Sequence, residues 1–394
     1  MSRQLIARNE QLARLVADGY EVEVSGSYLL IHSVPYVAAD RTVKRGTLIS
    51  ELTMAGDHLG APGNHVALFA GEHPCYANGA RLDTIAHSPS NQLIRDGLIA
   101  AFSFSNKPPQ GYPDYHAKMT RYIEIIEQQA QVLVPNITAR TGRPVAGAEG
   151  DDSVHVYLDT ASSRAGINAV SNKLKPIAVG IVGLGGTGSY ILDVVAKTSV
   201  RQIRIFDDDI LRSHNAFRAP SAASLEELRR SPPKVAYYAA LYGRIHKRIV
   251  PHQVRIQPAT LNLLDGLDFV FICVDHGPSR RLIVEHLVAH GITFIDVGMG
   301  VESLDDQSSL LGVLRVTTSS PRRPYNPAND NEIPFAENDE EDDYRRNIQI
   351  AELNMLNAAL ALVKWKKMFG LYQDLGAERH ITYSVNTNEL TGDA

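Results

Sequence analysis

Cysteine is nearly absent from this chain. Its 394 residues contain two, Cys75 and Cys273, which is too few for a disulfide framework and fits a reducing compartment. Long apolar runs are also missing, and none approaches the length of a membrane span. Residues 1–9, Met-Ser-Arg-Gln-Leu-Ile-Ala-Arg-Asn, lack the apolar centre of a secretion signal. A surplus of positive charge is missing too. Lys and Arg number 39 against 44 Asp and Glu, for a net charge of −5, which argues against general nucleic-acid binding. These absences leave a cytoplasmic protein without a membrane anchor as the expectation. A hydrophobic content of 44% supplies enough core for two or three globular domains.

Glycine is present in one informative arrangement. Residues 176–182, Pro-Ile-Ala-Val-Gly-Ile-Val, form a short β-branched apolar run that reads as a buried parallel strand. Gly183-x-Gly185-Gly186-x-Gly188 follows directly. A helix-compatible stretch covers residues 189–197, and a second strand, residues 202–206, ends in Asp207-Asp208-Asp209. Strand, glycine turn, helix, strand and acid is the order of a dinucleotide-fold βαβ unit. The glycines permit a tight turn close to a phosphate, and the helix N-terminus favours negative charge. Asp207 stands about 20 residues beyond the turn, where a ribose-binding acid is expected.

The following residues narrow the chemistry. Asp207, Asp209, Asn215 and Arg218 are spaced Asp-x-Asp-x5-Asn-x2-Arg. Lys234 follows, and Asp275 ends a further apolar strand predicted over residues 267–274. Hydride transfer has no use for these extra cations and acids beside a pyrophosphate. Breaking a triphosphate does, because cations must meet the departing phosphates and a carboxylate must hold magnesium. Each residue also has a plainer reading. Asp207 can simply end a strand, Asp209 can be a turn residue, and Asn215 and Arg218 can belong to a solvated loop. Lys234 can be a solvated residue of a helix start, Ser231-Pro-Pro-Lys234, with Ser231 as cap.

Residues 160–385 resemble the ThiF family of ATP-dependent adenylating enzymes. The residues that carry the resemblance are Gly183-Leu-Gly-Gly-Thr-Gly188, Asp207-Asp-Asp209, Asn215-Ala-Phe-Arg218, Lys234, Cys273-Val-Asp275 and a late helix over residues 347–362. The resemblance implies an α/β, Rossmann-like doubly wound sheet over residues 155–394, preceded by a smaller α/β or α+β domain over residues 1–150. It implies that Gly183, Gly185, Gly186 and Gly188 cradle phosphate and that Asp207 binds ribose, with Asp209 nearby. It further implies that Asn215, Arg218 and Lys234 contact the triphosphate and that Asp275 binds Mg2+. The family also draws an arginine from before the glycine strand, often across a homodimer. Arg164 occupies that place, although the usual Arg-x-x-Arg-Gln wording is absent. Many relatives hold zinc between two Cys-x-x-Cys pairs; two cysteines cannot build that site, so no zinc site is expected. Some relatives carry a nucleophilic cysteine beyond the magnesium aspartate. Nothing after Cys273 is cysteine, and Cys273 itself reads as strand core.

The N-terminal region should contain a helix over residues 9–19, a hairpin of residues 20–24 and 28–32 around Gly26, strands over 64–70 and 98–103, and an amphipathic helix over 115–134. Residues 138–152 read as a linker. Phe69-Ala-Gly-Glu-His-Pro-Cys75 and Lys107-Pro-Pro-Gln-Gly-Tyr-Pro-Asp-Tyr115 resemble an uncharacterised domain fused in front of some bacterial ThiF-like proteins. Cys75 is a possible acyl acceptor or a loop cysteine of no special role, and His73 beside it could lower its pKa. His116 reads as a packing or partner-binding residue. Residues 321–343, with their acidic end, read as a flexible crossover loop that could steer the tail of a carrier protein or merely be solvated.

Together these readings imply adenylation, with ATP and Mg2+, of the C-terminal carboxylate of a ubiquitin-like carrier protein. The setting would be a bacterial conjugation system with a downstream partner and a homodimeric enzyme. Alternatives are adenylation of a peptide, tRNA or other small substrate, and a nucleotide-bound adaptor without catalysis.

Overall fold

The strands in the first part of the chain build an antiparallel sheet, and the buried runs of the second part build a sheet with a parallel centre. The computed structural model describes residues 5–393, except residues 7, 57, 96, 144, 146–152, 158, 160, 163–166, 305–308 and 337–347 and the side chains of 168 and 169. The chain divides into two units, Met1–Ser171 and Asn172–Ala394.

The first unit opens with helix α1 (Glu10–Ala17), which buries Leu12 and Leu15. Strands β1 (Glu21–Ser25) and β2 (Tyr28–Val37) pair as the expected hairpin. Gly26 supplies the positive φ of 58° that its two-residue turn requires. There follow β3 (Val43–Glu51), a small ribbon of β4 (Met54–Ala55) and β5 (His58–Leu59), β6 (Val66–Ala70), β7 (Ala86–Arg95), β8 (Leu98–Ser105) and helix α2 (Tyr115–Leu133). The main sheet runs β1-β2-β3-β6-β8-β7 with every pair antiparallel. Asp114 caps α2, accepting from the Ala117 N–H at 2.7 Å. Met119, Tyr122 and Ile126 of α2 pack with Leu12, Leu15, Tyr36 and Phe69 in one core cluster. Helices beside a wholly antiparallel sheet make this unit α+β rather than α/β.

The second unit contains β9 (Ala178–Val182), α3 (Gly186–Val195), β10 (Gln202–Phe206), α4 (Leu225–Arg230), α5 (Lys234–Tyr242), β11 (Ile249–His252), β12 (Phe269–Ile272), α6 (Gly277–Ala289), β13 (Thr293–Ser303), β14 (Leu310–Ser319), α7 (Ala351–Met368), β15 (His380–Ser384) and β16 (Glu389–Asp393). The sheet order is β11-β10-β9-β12-β13-β14-β15-β16. The first five strands are parallel and the last three add antiparallel. One face packs Val179, Ile181 and Phe271 under α3, α5 and α7, with Trp365 of α7 at 5.8 Å from Phe271. The other face packs Val182, Val270 and Ile272 under Ile283, Val284 and Leu287 of α6. Helices on both faces make the sheet doubly wound. Chain order reverses at β9, whose neighbours are β10 and β12, so a crevice opens at the carboxyl ends of β9 and β12.

Several boundaries differ from the sequence expectation. Helix α3 starts at Gly186, not residue 189, because the glycine turn is itself the first turn of the helix. β12 ends at Ile272; the Cys273 N–H still donates to the Val182 carbonyl at 2.8 Å, and residues 273–275 form the crevice wall. α7 runs on to Met368. Ser231 does not cap α5; it closes α4 in a left-handed conformation (φ 46°), and Pro233 precedes α5.

Candidate active site

The glycine turn is shaped by crowding on three sides. Gly183 has φ 90°, and a Cβ there would sit 2.6 Å from the Cys273 carbonyl oxygen, so the loops after β9 and β12 touch only because it is glycine. A Cβ on Gly186 would collide with Asn354 of α7, and one on Gly188 with the Gly183 carbonyl. At Gly185 nothing lies within 4 Å, so its open face looks into the crevice.

That crevice, about 1090 Å3 including its mouth, is lined by Gly183, Gly185, Gly186, Asp207, Asp209, Arg218, Lys234 and Asp275. Asp207 ties the site together. Its Oδ2 accepts from the Leu184 N–H at 2.7 Å and its Oδ1 from the Asp209 N–H at 2.9 Å. One carboxylate therefore holds the glycine turn and the end of β10. Burial raises the Asp207 pKa, against the opposing pull of Lys234 and the two backbone bonds. Lys234, 5% exposed at the start of α5, lies 2.6 Å from Asp209 Oδ2 and 3.5 Å from Asp207 Oδ1. For Asp209 burial is the largest single influence and acts upward, but the hydrogen bond and charge of Lys234 outweigh it and hold the carboxyl below its ordinary value.

Arg218 is lowered in pKa mainly by burial, which the nearby Asp275 carboxylate opposes. Its buried Nε has no hydrogen-bond partner among the described residues. A half-desolvated guanidinium with an unused donor is a ready partner for an anion. Asp275 is exposed at the crevice, just before α6.

The sequence-derived candidates thus do not all take the same position. Asn215 and Gly188 do not line the crevice. Asn215 is buried, accepts from the Arg212 N–H at 2.9 Å through Oδ1, and accepts from the Arg218 N–H at 3.1 Å through its carbonyl. It shapes the turn that presents Arg218. Arg164 lies outside the described residues. Cys273 is only partly buried and lines the crevice, so it is not the strand-core residue expected; burial nonetheless raises its thiol pKa.

Cys75 is 1% exposed in the first unit, beside Val37 and Ala130. Its thiol donates to the His73 carbonyl at 3.4 Å, and burial raises its pKa. The His73 ring does not activate it. That ring bonds the Pro74 carbonyl and packs edge-on against Phe102 and Phe104. A thiol in this environment is neither presented nor ionised, and no acceptor role is assigned to it. His116 is tied to Asp18 at 2.7 Å.

Other residues of the site were not foreseen. Asp296 of β13, fully buried, holds Arg280 of α6 at 3.2 Å and Arg315 of β14 at 2.5 Å. Arg280 donates to the Pro334 carbonyl at 3.0 Å and to the Val274 carbonyl. It therefore clamps the crossover segment to the loop that carries Asp275. The described part of that segment, residues 321–336, is pinned rather than free, with Tyr325 and Ile333 buried; the acidic residues 337–343 lie outside the described residues. Asn354 and Asn357 of α7 complete the far wall. Asn354 accepts from the Thr187 hydroxyl at 2.9 Å. Asn357 donates to the Gly298 carbonyl at 3.0 Å, leaving its buried Oδ1 unpartnered among the described residues. Helical spacing places both asparagines on one face of α7, a signal readable in sequence once the helix is set against the glycine turn.

Residues 161–304, which span the glycine turn, Arg218, Lys234 and Asp275, match the ThiF family. They are a ThiF-family domain. Residues 10–160 match a domain of unknown function, DUF6791. Relatives of the ThiF domain include adenylyltransferase and sulfurtransferase UBA4 of Yarrowia lipolytica, 29% identical over 118 residues, which cover 29% of each protein. Ubiquitin-like modifier-activating enzyme 5 of Gallus gallus is 27% identical over 184 residues, covering 42% of this chain and 46% of that enzyme. tRNA threonylcarbamoyladenosine dehydratase 2 of Saccharomyces cerevisiae is 29% identical, covering 38% and 34%. The chain therefore spans less than half the length of these relatives. Among solved structures, E. coli MccB with MccA-N7isoASN aligns with TM-score 0.46 and 16% identity, over 59% of this chain and 70% of that one. Selenomethionine PaaA aligns with TM-score 0.46 and 14% identity, over 70% and 84%. Among the described residues, no helix is long and apolar enough to cross a membrane.

Proposed function

We propose that the ThiF domain is an ATP-dependent adenylyltransferase whose substrate is the C-terminal carboxylate of a ubiquitin-like protein, within a bacterial conjugation system. The observation that carries this reading is the meeting of Arg218, Lys234 and Asp275 with the Gly185 face in one crevice at the switch point of the sheet. Support also comes from the names of the relatives, adenylyltransferases and a ubiquitin-like modifier-activating enzyme.

In the proposed reaction a carboxylate oxygen of the substrate attacks the α-phosphorus of ATP. The acyl-oxygen–phosphorus bond forms, the bond to the β-phosphate bridging oxygen breaks, and pyrophosphate leaves with its electron pair. No proton moves at the attacking atom, so no general base is required. Gly183, Gly185 and Gly186 approach the phosphates, and Gly188 gives the turn its compactness. Asp207 takes the ribose hydroxyls, with Asp209 setting the position of Lys234. Arg218, Lys234 and Arg164, the last from a homodimer partner, meet the charge that builds on the leaving phosphates.

Magnesium takes oxygen ligands. Asp207, Asp208 and Asp209 offer three carboxylate oxygens within 4.8 Å of one another, but Lys234 and Arg255 already pair with that group. Asp275 is the carboxylate left to hold the ion, which when bound neutralises phosphate charge.

ATP–pyrophosphate exchange with the purified protein tests the reading, with and without a candidate ubiquitin-like carrier protein. Exchange that depends on that protein's terminal carboxylate is the expected result. ATP binding without exchange, across carrier proteins, peptides and tRNA, would leave a nucleotide-bound adaptor instead.

A further inference from the structure

Away from the crevice, three side chains converge in a way that adenylation does not use. His286 stands in the last turn of α6 and His290 caps it, one helical turn apart. Asp265 comes from the loop before β12. Each offers one ligand atom, and the three atoms lie within 4.8 Å of one another. We propose that Asp265, His286 and His290 form a binding site for a single zinc-class divalent cation.

The geometry favours this reading in three ways. The two imidazoles lie close and tilted, with ring centroids 4.1 Å apart and 31° between planes, and their ligand atoms converge within 4.8 Å, so one ion can reach both. His290 Nδ1 is engaged by the His286 carbonyl at 2.8 Å, which fixes that ring and leaves Nε2 as its ligand atom. A backbone carbonyl on the second nitrogen is the usual partner that orients a metal-binding histidine. His286 Nε2 lies 3.0 Å from Asp265 Oδ1, so a proton now sits where an ion would bridge nitrogen and oxygen. The site also lies at the C-terminal end of a 13-residue helix, where the helix dipole favours a cation.

The donor set selects the ion. Two imidazoles and a carboxylate suit zinc and its neighbours rather than magnesium. Three protein ligands leave a fourth position to water or to a donor from another molecule. The shortage of cysteine excludes thiolate zinc sites only; this one uses none. His290 and Asp265 also border a shallow groove with Gly266, Leu267, Asp268 and Ile292, which leaves that fourth position approachable.

The placement suggests what the ion does. Asp265 precedes β12 and Asp275 follows it; α6 begins just after Asp275 and ends at the two histidines. An ion here fastens the two ends of the β12–α6 unit that carries Asp275, at the opposite end of that unit from the crevice. Its effect is on stability.

The test uses the full chain stripped of metal by a chelating resin. Zinc chloride is titrated calorimetrically in excess magnesium, which occupies oxygen-only sites, and cobalt absorption reports imidazole ligation. The expected result is one saturable zinc per chain and a midpoint of thermal unfolding raised by about 5 °C or more at saturating zinc. His290→Gln and Asp265→Asn are both exposed changes. Each should weaken binding at least tenfold and abolish the shift, while leaving the metal-free melting curve in place. No saturable zinc in the wild type, or zinc binding unchanged in both variants, would overturn the site and leave an ion pair and a helix cap. Neither readout involves ATP, so the result stands apart from the adenylation reading.

Discussion

The two units of this chain both bury charge, and they do so to different ends. In the first, Lys118 is 1% exposed and bonds Ser50 Oγ at 2.9 Å and the Asn64 carbonyl at 3.1 Å. It sits within a packed core, and burial pushes its pKa down to about 8. In the second, Lys234 and Arg218 are also withdrawn from water but face an open crevice, with carboxylates grouped round them. A perturbed cation alone is therefore no sign of a site. What distinguishes the second unit is convergence at the carboxyl ends of parallel strands, a place an antiparallel sheet does not possess.

The largest effect is expected where buried charge is most interdependent. Asp296→Ala strands Arg280 and Arg315 without their shared counter-charge. It should cost about 3–5 kcal/mol of stability, read from urea denaturation of the full chain. A loss under about 1 kcal/mol would mean that the triad is dispensable and that the crevice alone distinguishes the second unit from the first.

Arg218→Ala should lower ATP–pyrophosphate exchange by a factor of about 10^2–10^3, as expected for one donor to developing charge. Its unfolding curve should be close to the wild type, because its Nε has no hydrogen-bond partner among the described residues. A parallel loss of stability would place Arg218 with Lys118 as a structural cation.

Lys118 sharpens the comparison through pH. Its folded pKa of about 8 lies below the ordinary 10.5, so the unfolded chain binds more protons between those values. The stability contribution of Lys118 therefore rises as pH rises through that window, and its cost is fully present below about pH 8. The difference in unfolding free energy between wild type and Lys118→Met should grow in favour of the wild type by about 2–3 kcal/mol from pH 8 to 10.5. A difference flat with pH would show that the lysine is reached by water and keeps its ordinary pKa when folded.

Cys75→Ser is the smallest. It swaps a buried thiol for a hydroxyl and should cost about 1–2 kcal/mol while leaving exchange unchanged. Loss of a thiol-sensitive acyl adduct in this variant would move the first unit from scaffold to participant.

Much of the second unit was legible beforehand because its signals are local. A β-branched run, crowded glycines and an acid about 20 residues on require nothing distant to be recognised. β10 keeps the limits expected of it, residues 202–206. The crevice residues Asp207, Asp209, Arg218, Lys234 and Asp275 also stand in motifs that can be read one after another. In the first unit the hairpin at Gly26 and the long helix α2 were legible for the same reason.

What the sequence by itself determined is therefore the order of the parts and the residue types suited to a phosphate. Only the tertiary structure decided which of those residues face the crevice. It turned Asn215 inward to hold the Arg218 turn and opened β12 early at Cys273. It also buried Cys75, brought Arg280 of α6 and Asn354 and Asn357 of α7 to the crevice, and set Asp296 of β13 behind Arg280. The physical reason is distance along the chain. Backbone geometry and helix or strand period act over a few residues, whereas burial and ion pairing between β13, α6 and α7 depend on how sheet and helices pack.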